Sequence, residues 1–133
     1  MKKCEFCLVV KNNYFKHEII FSDKKHLVVL DANPTKDGHV LVLPKKHTNF
    51  LFDLNEKEYV ALLKLSRKIA LHIKKALKSK HVYVFIKGLK YKHVHVHLIP
   101  VNKNNAGHLP RQKRIDKGKL KKIGEILRGS ILS

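Results

Sequence analysis

From His93 to Leu98 the chain reads HVHVHL, a histidine at each second position with valine or leucine between. Strict alternation is the period of a β-strand, whose successive side chains point to opposite faces. The pattern predicts a strand that sends Val94, Val96 and Leu98 into a core while His93, His95 and His97 crowd the other surface. Neighbouring same-face positions on a strand lie about 6.6 Å apart, close enough for side chains to share one ligand. Three chemistries fit. The histidines could be the polar side of an ordinary strand. They could hold a catalytic zinc with an open position for water. Or imidazole is itself the reagent, neutral near pH 7 because its ordinary pKa is about 6.5, one ring attacking while a neighbour handles protons.

The surrounding pattern builds a sheet around that strand. HEIIF (17–21) and HLVVLD (26–31) are β-branched runs joined by the polar SDKK, a natural hairpin connection. DANPTKDGH (31–39) holds Asn-Pro and Asp-Gly turn signals, and HVLVLP (39–44) then alternates into a third strand stopped by Pro44. At Asn55 the period changes. Asn55 with Glu58 has the form of a capping box, and Tyr59, Leu62, Leu63, Ile69, Ala70, Ile73 and Leu77 recur at helical spacing. VYVFI (82–86) is a further strand, separated from the histidine run by a turn around Gly88. The polar segment after Pro100 ends in a short helix near 117–128. This order is not the strict strand–helix alternation of a parallel sheet. It predicts an α+β fold: an antiparallel meander sheet packed against one long amphipathic helix, plus a short C-terminal helix.

The 133 residues suit one domain, spanning 1–133 with a basic tail over about 101–133. No apolar run is long enough to span a bilayer, so no membrane association is expected, and the opening MKKCEFCLVV is too short for a secretory signal, which points to the cytoplasm. The net charge of +19 attracts polyanions at low salt, so nucleic acid or nucleotide are candidate partners. Lysine spread along the whole chain fits a lysine-rich proteome equally well. The two cysteines, Cys4 and Cys7, form a Cys-x-x-Cys pair. At the N-terminus, with no strand before it, the pair favours half of a zinc site over a redox motif, provided two further ligands exist.

HVHVHLIP resembles the signature of the histidine-triad (HIT) nucleotide hydrolases and transferases. CEFCLVV, VVLDANPTKDGHVLVLPKKH and NFLFDL follow that family's order over residues 4–100. The resemblance implies that His95 is the nucleophile that attacks the α-phosphate and becomes a nucleotidyl-histidine. His97 then helps position and relay protons around the phosphate, and His39 completes the active-site group. Asp31 matches the acidic residue that holds the ribose hydroxyls, although it could equally cap the Asn33-Pro34 turn. In zinc-containing members the metal ligands correspond to Cys4, Cys7, His47 and His93, a Cys2His2 set suited to a structural tetrahedral zinc. Also implied are a purine nucleotide or nucleotide conjugate as substrate and a homodimer built through the long helix and sheet edge.

The chain departs from the family pattern just before the triad. In FIKGLKYKH, Gly88 and Tyr91 keep the Gly and Val positions of the phosphate loop, making Gly88 a nucleotide-binding candidate. Leu89 replaces the usual Gln, an upstream Asn-containing segment is missing, and Val101 stands where an Arg follows the Ile-Pro. Lys87, Lys90 and Lys92 are the remaining candidates for phosphate contacts. The expected function is nucleotide-phosphate hydrolysis or nucleotidyl transfer of the phosphoramidase type. The alternatives are dinucleoside-polyphosphate hydrolysis, or a nucleic-acid-associated role such as binding or DNA-adenylate removal.

Overall fold

A computed structural model describes residues 4–12, 18–102 and 115–130. In chain order the elements are α1 (Glu5–Asn12), β1 (Ile19–Ser22), β2 (His26–Leu30), β3 (Val40–Pro44), α2 (Glu56–Ala76), β4 (His81–Ile86), β5 (Val96–Val101) and α3 (Lys117–Ser130), with a 3-10 turn at Leu51–Asp53. The strands form one antiparallel sheet in the order β1-β2-β3-β5-β4. The first three strands are the predicted meander. The segment that includes α2 carries the chain to the far edge, and β5 returns between β4 and β3. His17, the expected first residue of β1, and the polar stretch 103–114 lie outside the described residues.

Alternation divides the sheet into two faces. Val28, Leu30, Val40, Val42, Val94, Val96 and Leu98 join Leu62, Ile69 and Ile73 of α2 and Leu120, Ile123 and Leu127 of α3 in the larger core. The opposite face places Leu27, Val29, Leu41 and Leu43 against Phe6 and Val9 of α1. The α2 N-terminus has the capping box read from the sequence: Asn55 Oδ1 accepts from the Glu58 N–H at 2.8 Å, and Glu58 Oε1 accepts from the Asn55 N–H at 3.1 Å. The α3 helix is fixed by more than its apolar stripe. Arg128 pairs with Glu18 at 3.0 Å, and Lys119 pairs with Asp37 at 2.9 Å.

Two local readings are corrected. The strand that was to carry all three histidines begins only at Val96, so His93 and His95 lie in the segment before it. Pro44 supplies a reason. Its nitrogen has no hydrogen to continue a ladder, and its carbonyl accepts from the His93 ring at 2.8 Å instead. Face alternation survives the loss of ladder, because Val94 still enters the core with Val96 and Leu98. The second correction is α1, which the strand-and-turn reading missed. Cys4 acts as its N-terminal acceptor, with the Cys7 N–H 3.4 Å from Cys4 Sγ. Phe6 and Val9 supply the i, i+3 apolar pair that anchors it.

Candidate functional site

Odd-numbered positions of β2, β3 and β5 share the α1 face of the sheet, and this gathers residues distant in sequence. Asp31 follows β2, His39 precedes β3, and His97 lies on β5 opposite Leu41 and Phe85. Asp31, His39, His95 and His97 are all buried. The loop from Asp31 to His39 closes on itself, the Asp31 N–H donating to the His39 carbonyl at 2.9 Å. Gly38 makes that closure feasible. Its φ is +90°, and a Cβ there would run into Leu77 and lie 3.2 Å from Pro100.

The hydrogen bonds assign tautomers. The Thr35 N–H donates to His39 Nδ1 at 3.1 Å, so the neutral His39 ring carries its proton on Nε2. That Nε2–H donates to His97 Nδ1 at 2.9 Å, which places the His97 proton on Nε2 in turn. His97 Nε2 is buried and has no hydrogen-bond partner among the described residues. An uncompensated buried donor is costly, and it marks a place for an acceptor from outside the described residues. His95 is held differently: its Nδ1–H donates to the His93 carbonyl at 2.6 Å, leaving the Nε2 lone pair for chemistry.

Burial keeps these rings neutral. It is the leading cause that lowers His39, with Asp31 opposing and Lys87 and His95 assisting. It lowers His95 in the same way, against the backbone bond to His93 and the Asp31 charge. His97 is pushed down to about 3 by burial and by its charged-state repulsion with His95, His39 and Lys87. Of the two jobs considered for Asp31, the cap on the turn is present in the structure. Its Oδ1 caps the turn at Asn33, accepting that N–H at 2.9 Å, and its Oδ2 lies 3.7 Å from His39 Nε2.

Aromatic walls enclose the imidazoles, and sequence reading missed them. Phe6 of α1 lies against the His95 ring at 4.7 Å between centroids. Phe85 of β4 stacks on His97 at 4.4 Å and 15°. Tyr91 sits edge-on to His95 at 6.5 Å. The legible signal for Phe85 was its place in the alternating VYVFI strand. Phe6 required knowing that α1 exists. Gly88 lies in the β4–β5 connection against Phe50, where a Cβ would sit 3.0 Å from the Phe50 ring.

Cys4, Cys7, His47 and His93 also come together, their ligand atoms all within 4.8 Å of one another. Cys4 Sγ is 3.3 Å and Cys7 Sγ 3.4 Å from His93 Nδ1, and Cys7 Sγ is 3.2 Å from His47 Nδ1. Tetrahedral zinc with bonds of about 2.0–2.3 Å separates its ligand atoms by about 3.3–3.8 Å, so the set is near the right size. The outer hydrogen bonds match as well. His93 Nε2–H donates to Pro44, and His47 Nε2–H donates to Asn49 Oδ1 at 2.7 Å, which leaves both Nδ1 lone pairs facing the sulfurs. Burial and the neighbouring Cys4 raise the Cys7 thiol to about 11, so deprotonation there calls for a cation. The Val94 N–H donates to the Thr48 carbonyl at 2.9 Å and ties the His47 loop to the histidine segment. These residues fit a closed metal site.

A five-stranded sheet with paired histidines on one face and a Cys2His2 cluster beside them defines a class. The HIT domain family matches residues 12–104, and the chain belongs to that family. Its fold is similar to a hypothetical histidine triad nucleotide-binding protein of Sulfolobus tokodaii, with a TM-score of 0.85, 28% identity, and coverage of 97% of this chain and 92% of that one. A Zn-bound histidine triad family protein of Mycobacterium smegmatis matches with a TM-score of 0.82 and 25% identity, over 98% of this chain and 94% of the other. In sequence, the adenosine 5'-monophosphoramidase of Saccharomyces cerevisiae is 31% identical over 109 residues, 78% of this chain and 66% of that protein.

Proposed function

We propose that this protein hydrolyses nucleoside phosphoramidates through a nucleotidyl-histidine on His95, on a purine nucleotide or nucleotide conjugate. One observation carries the reading: the His95 Nδ1–H bond to the His93 carbonyl, which fixes the free lone pair on Nε2. The likeness to the yeast monophosphoramidase supports the substrate class. His95 Nε2 attacks the α-phosphorus as the phosphorus–nitrogen bond to the amine breaks, and the amine leaves with a proton drawn from solvent. Water then attacks phosphorus, breaks the bond to His95 and releases the nucleoside monophosphate. His97, neutral at physiological pH, serves as a hydrogen-bond donor to the phosphoryl group through Nε2. His39 holds His97 in that tautomer and Asp31 takes the ribose hydroxyls. Gly88 lets the β4–β5 loop approach the phosphate closely.

The Cys4, Cys7, His47 and His93 cluster is proposed as a structural zinc site. Bound there, the ion would neutralise two thiolates and fasten α1 to the sheet. Its four ligand atoms face one another, and the phosphoryl chemistry belongs to His95. The whole chain is proposed to act as one HIT domain in the cytoplasm, where thiols stay reduced. A homodimer is proposed through α2 and the β4 edge, where Leu71 and Val84 leave 57% and 56% of their surface exposed. Light scattering at micromolar concentration tests it, and a monomer mass refutes it.

Incubation of wild type and His95→Ala with adenosine and guanosine phosphoramidates, beside dinucleoside polyphosphates, tests the activity. Wild-type release of nucleoside monophosphate that vanishes in the variant supports the mechanism. Turnover that survives the substitution refutes it, and cleavage confined to the polyphosphates would favour the dinucleoside-polyphosphate alternative.

A further inference from the structure

The proposed active site has an electrostatic imbalance. Burial holds the rings of His39 and His97 toward the neutral form, so neither offers a fixed positive charge. Asp31 adds a buried carboxylate beside His39. A phosphoryl group would enter a site whose own fixed charge opposes it, unless a cation stands nearby. The β4 alternation supplies one. Tyr83 and Phe85 lie on the histidine face, opposite Ile99 and His97, and Lys87 is the next residue in that same alternation. Its Nζ lies 5.2 Å from the Phe85 ring centroid, and Phe85 in turn stacks on His97.

We propose that Lys87 is the phosphate-binding cation of this site, waiting on the Phe85 ring and moving onto the phosphoryl oxygens when nucleotide enters. The inference rests on the nucleotide reading above. Two further observations favour it. The Lys87 charge acts on both His39 and His97, so it already lies within electrostatic reach of the site. And the His97 Nε2–H, on the ring beneath Phe85, is a buried donor with no acceptor among the described residues. One anion would satisfy both. The resting cation–π contact at an exposed lysine is weak, so giving it up for a charge-assisted hydrogen bond favours the bound position. Lys90 makes the same kind of contact with Tyr91, 5.4 Å from the ring centroid, so what favours Lys87 is the buried His97 donor beneath its own ring.

Titration calorimetry of the full chain with AMP and with adenosine isolates the phosphate contact. Lys87→Gln is expected to weaken AMP binding about ten- to a hundredfold and to leave adenosine binding unchanged, with Lys87→Arg retaining most of the AMP affinity. Raising salt should weaken AMP binding by wild type more steeply than by Lys87→Gln. In steady-state turnover the loss should appear in kcat/KM. Equal AMP affinity in wild type and Lys87→Gln overturns the proposal while leaving the His95 chemistry intact. Parallel losses for AMP and adenosine also overturn it, because they report a structural effect. A wild type that prefers neither AMP over adenosine nor GMP over guanosine overturns the nucleotide reading itself, and Lys87 with it.

Discussion

His93 and His97 stand four residues apart on one face of the chain, yet they are wired in opposite senses. His93 gives its Nε2–H to Pro44 and turns its Nδ1 lone pair toward the two sulfurs. His97 receives a proton at Nδ1 from His39 and turns an N–H outward from Nε2. The contrast extends to whole clusters. Cys4, Cys7, His47 and His93 present lone pairs and acidic protons to a common centre. Asp31, His39 and His97 have ligand atoms equally close together, within 4.8 Å, but the Thr35 N–H forces a proton onto His39 Nε2. The first arrangement welcomes a cation, whereas the second is a chain of donors that ends on the buried His97 Nε2–H. Proximity of donor atoms does not distinguish the two clusters. The remote hydrogen bond on each ring does.

The two clusters should therefore separate under mutation. The largest effect expected is His95→Ala, which should lower phosphoramidate turnover at least about a thousandfold while zinc content and thermal stability change little. Elemental analysis beside the kinetics checks both halves. Cys7→Ser should do the reverse, lowering zinc well below one per chain and costing at least about 3 kcal/mol of unfolding free energy by denaturant titration. If the purified wild type is metal-free yet equally stable, the assignment of that cluster fails.

Acid should probe the catalytic cluster through His97. Its folded pKa of about 3 lies below the ordinary value, so the unfolded chain binds the extra proton first. Stability should then fall as pH drops from about 6.5 toward about 3, by about 1.4 kcal/mol per unit from this group. His97→Asn should remove that increment from the slope, as measured by urea unfolding at several pH values, because acid release of metal is common to both proteins. Gly38→Ala should cost about 1–3 kcal/mol, since it combines a positive φ with a clash against Leu77. It should disturb His39 next door and spare metal content. The smallest effect expected is Asn55→Ala, about 1 kcal/mol from the lost helix cap, with neither cluster altered.

Much of this was legible in the sequence because it depends on period. Alternation gave the strand faces and put His93, His95 and His97 on one of them, whereas Asp31 and His39 entered only through the family resemblance. The Asn55 cap and its apolar stripe gave α2 nearly to its ends. The α1 helix was hidden because its eight residues hold too few repeats of the apolar pattern, and its first acceptor is a sulfur. The early end of the histidine strand was hidden for another reason. Strand pairing depends on the partner, and Pro44 lies on β3, far from His93 in sequence. Phe6, Thr35 and Phe85 carry no chemical signature of their own. They matter through what they touch, which no local pattern encodes. The same holds for a choice among Lys87, Lys90 and Lys92 as phosphate contacts.

His93 binds the two halves of the site with different parts of itself. Its ring faces the cysteines, while its main-chain carbonyl orients the His95 ring. A carbonyl oxygen is supplied by whatever residue occupies the position. The cluster of Cys4, Cys7, His47 and His93 can thus be replaced side chain by side chain without deleting the acceptor on which His95 depends. The orientation of His95 is insured at this position by the polypeptide backbone itself.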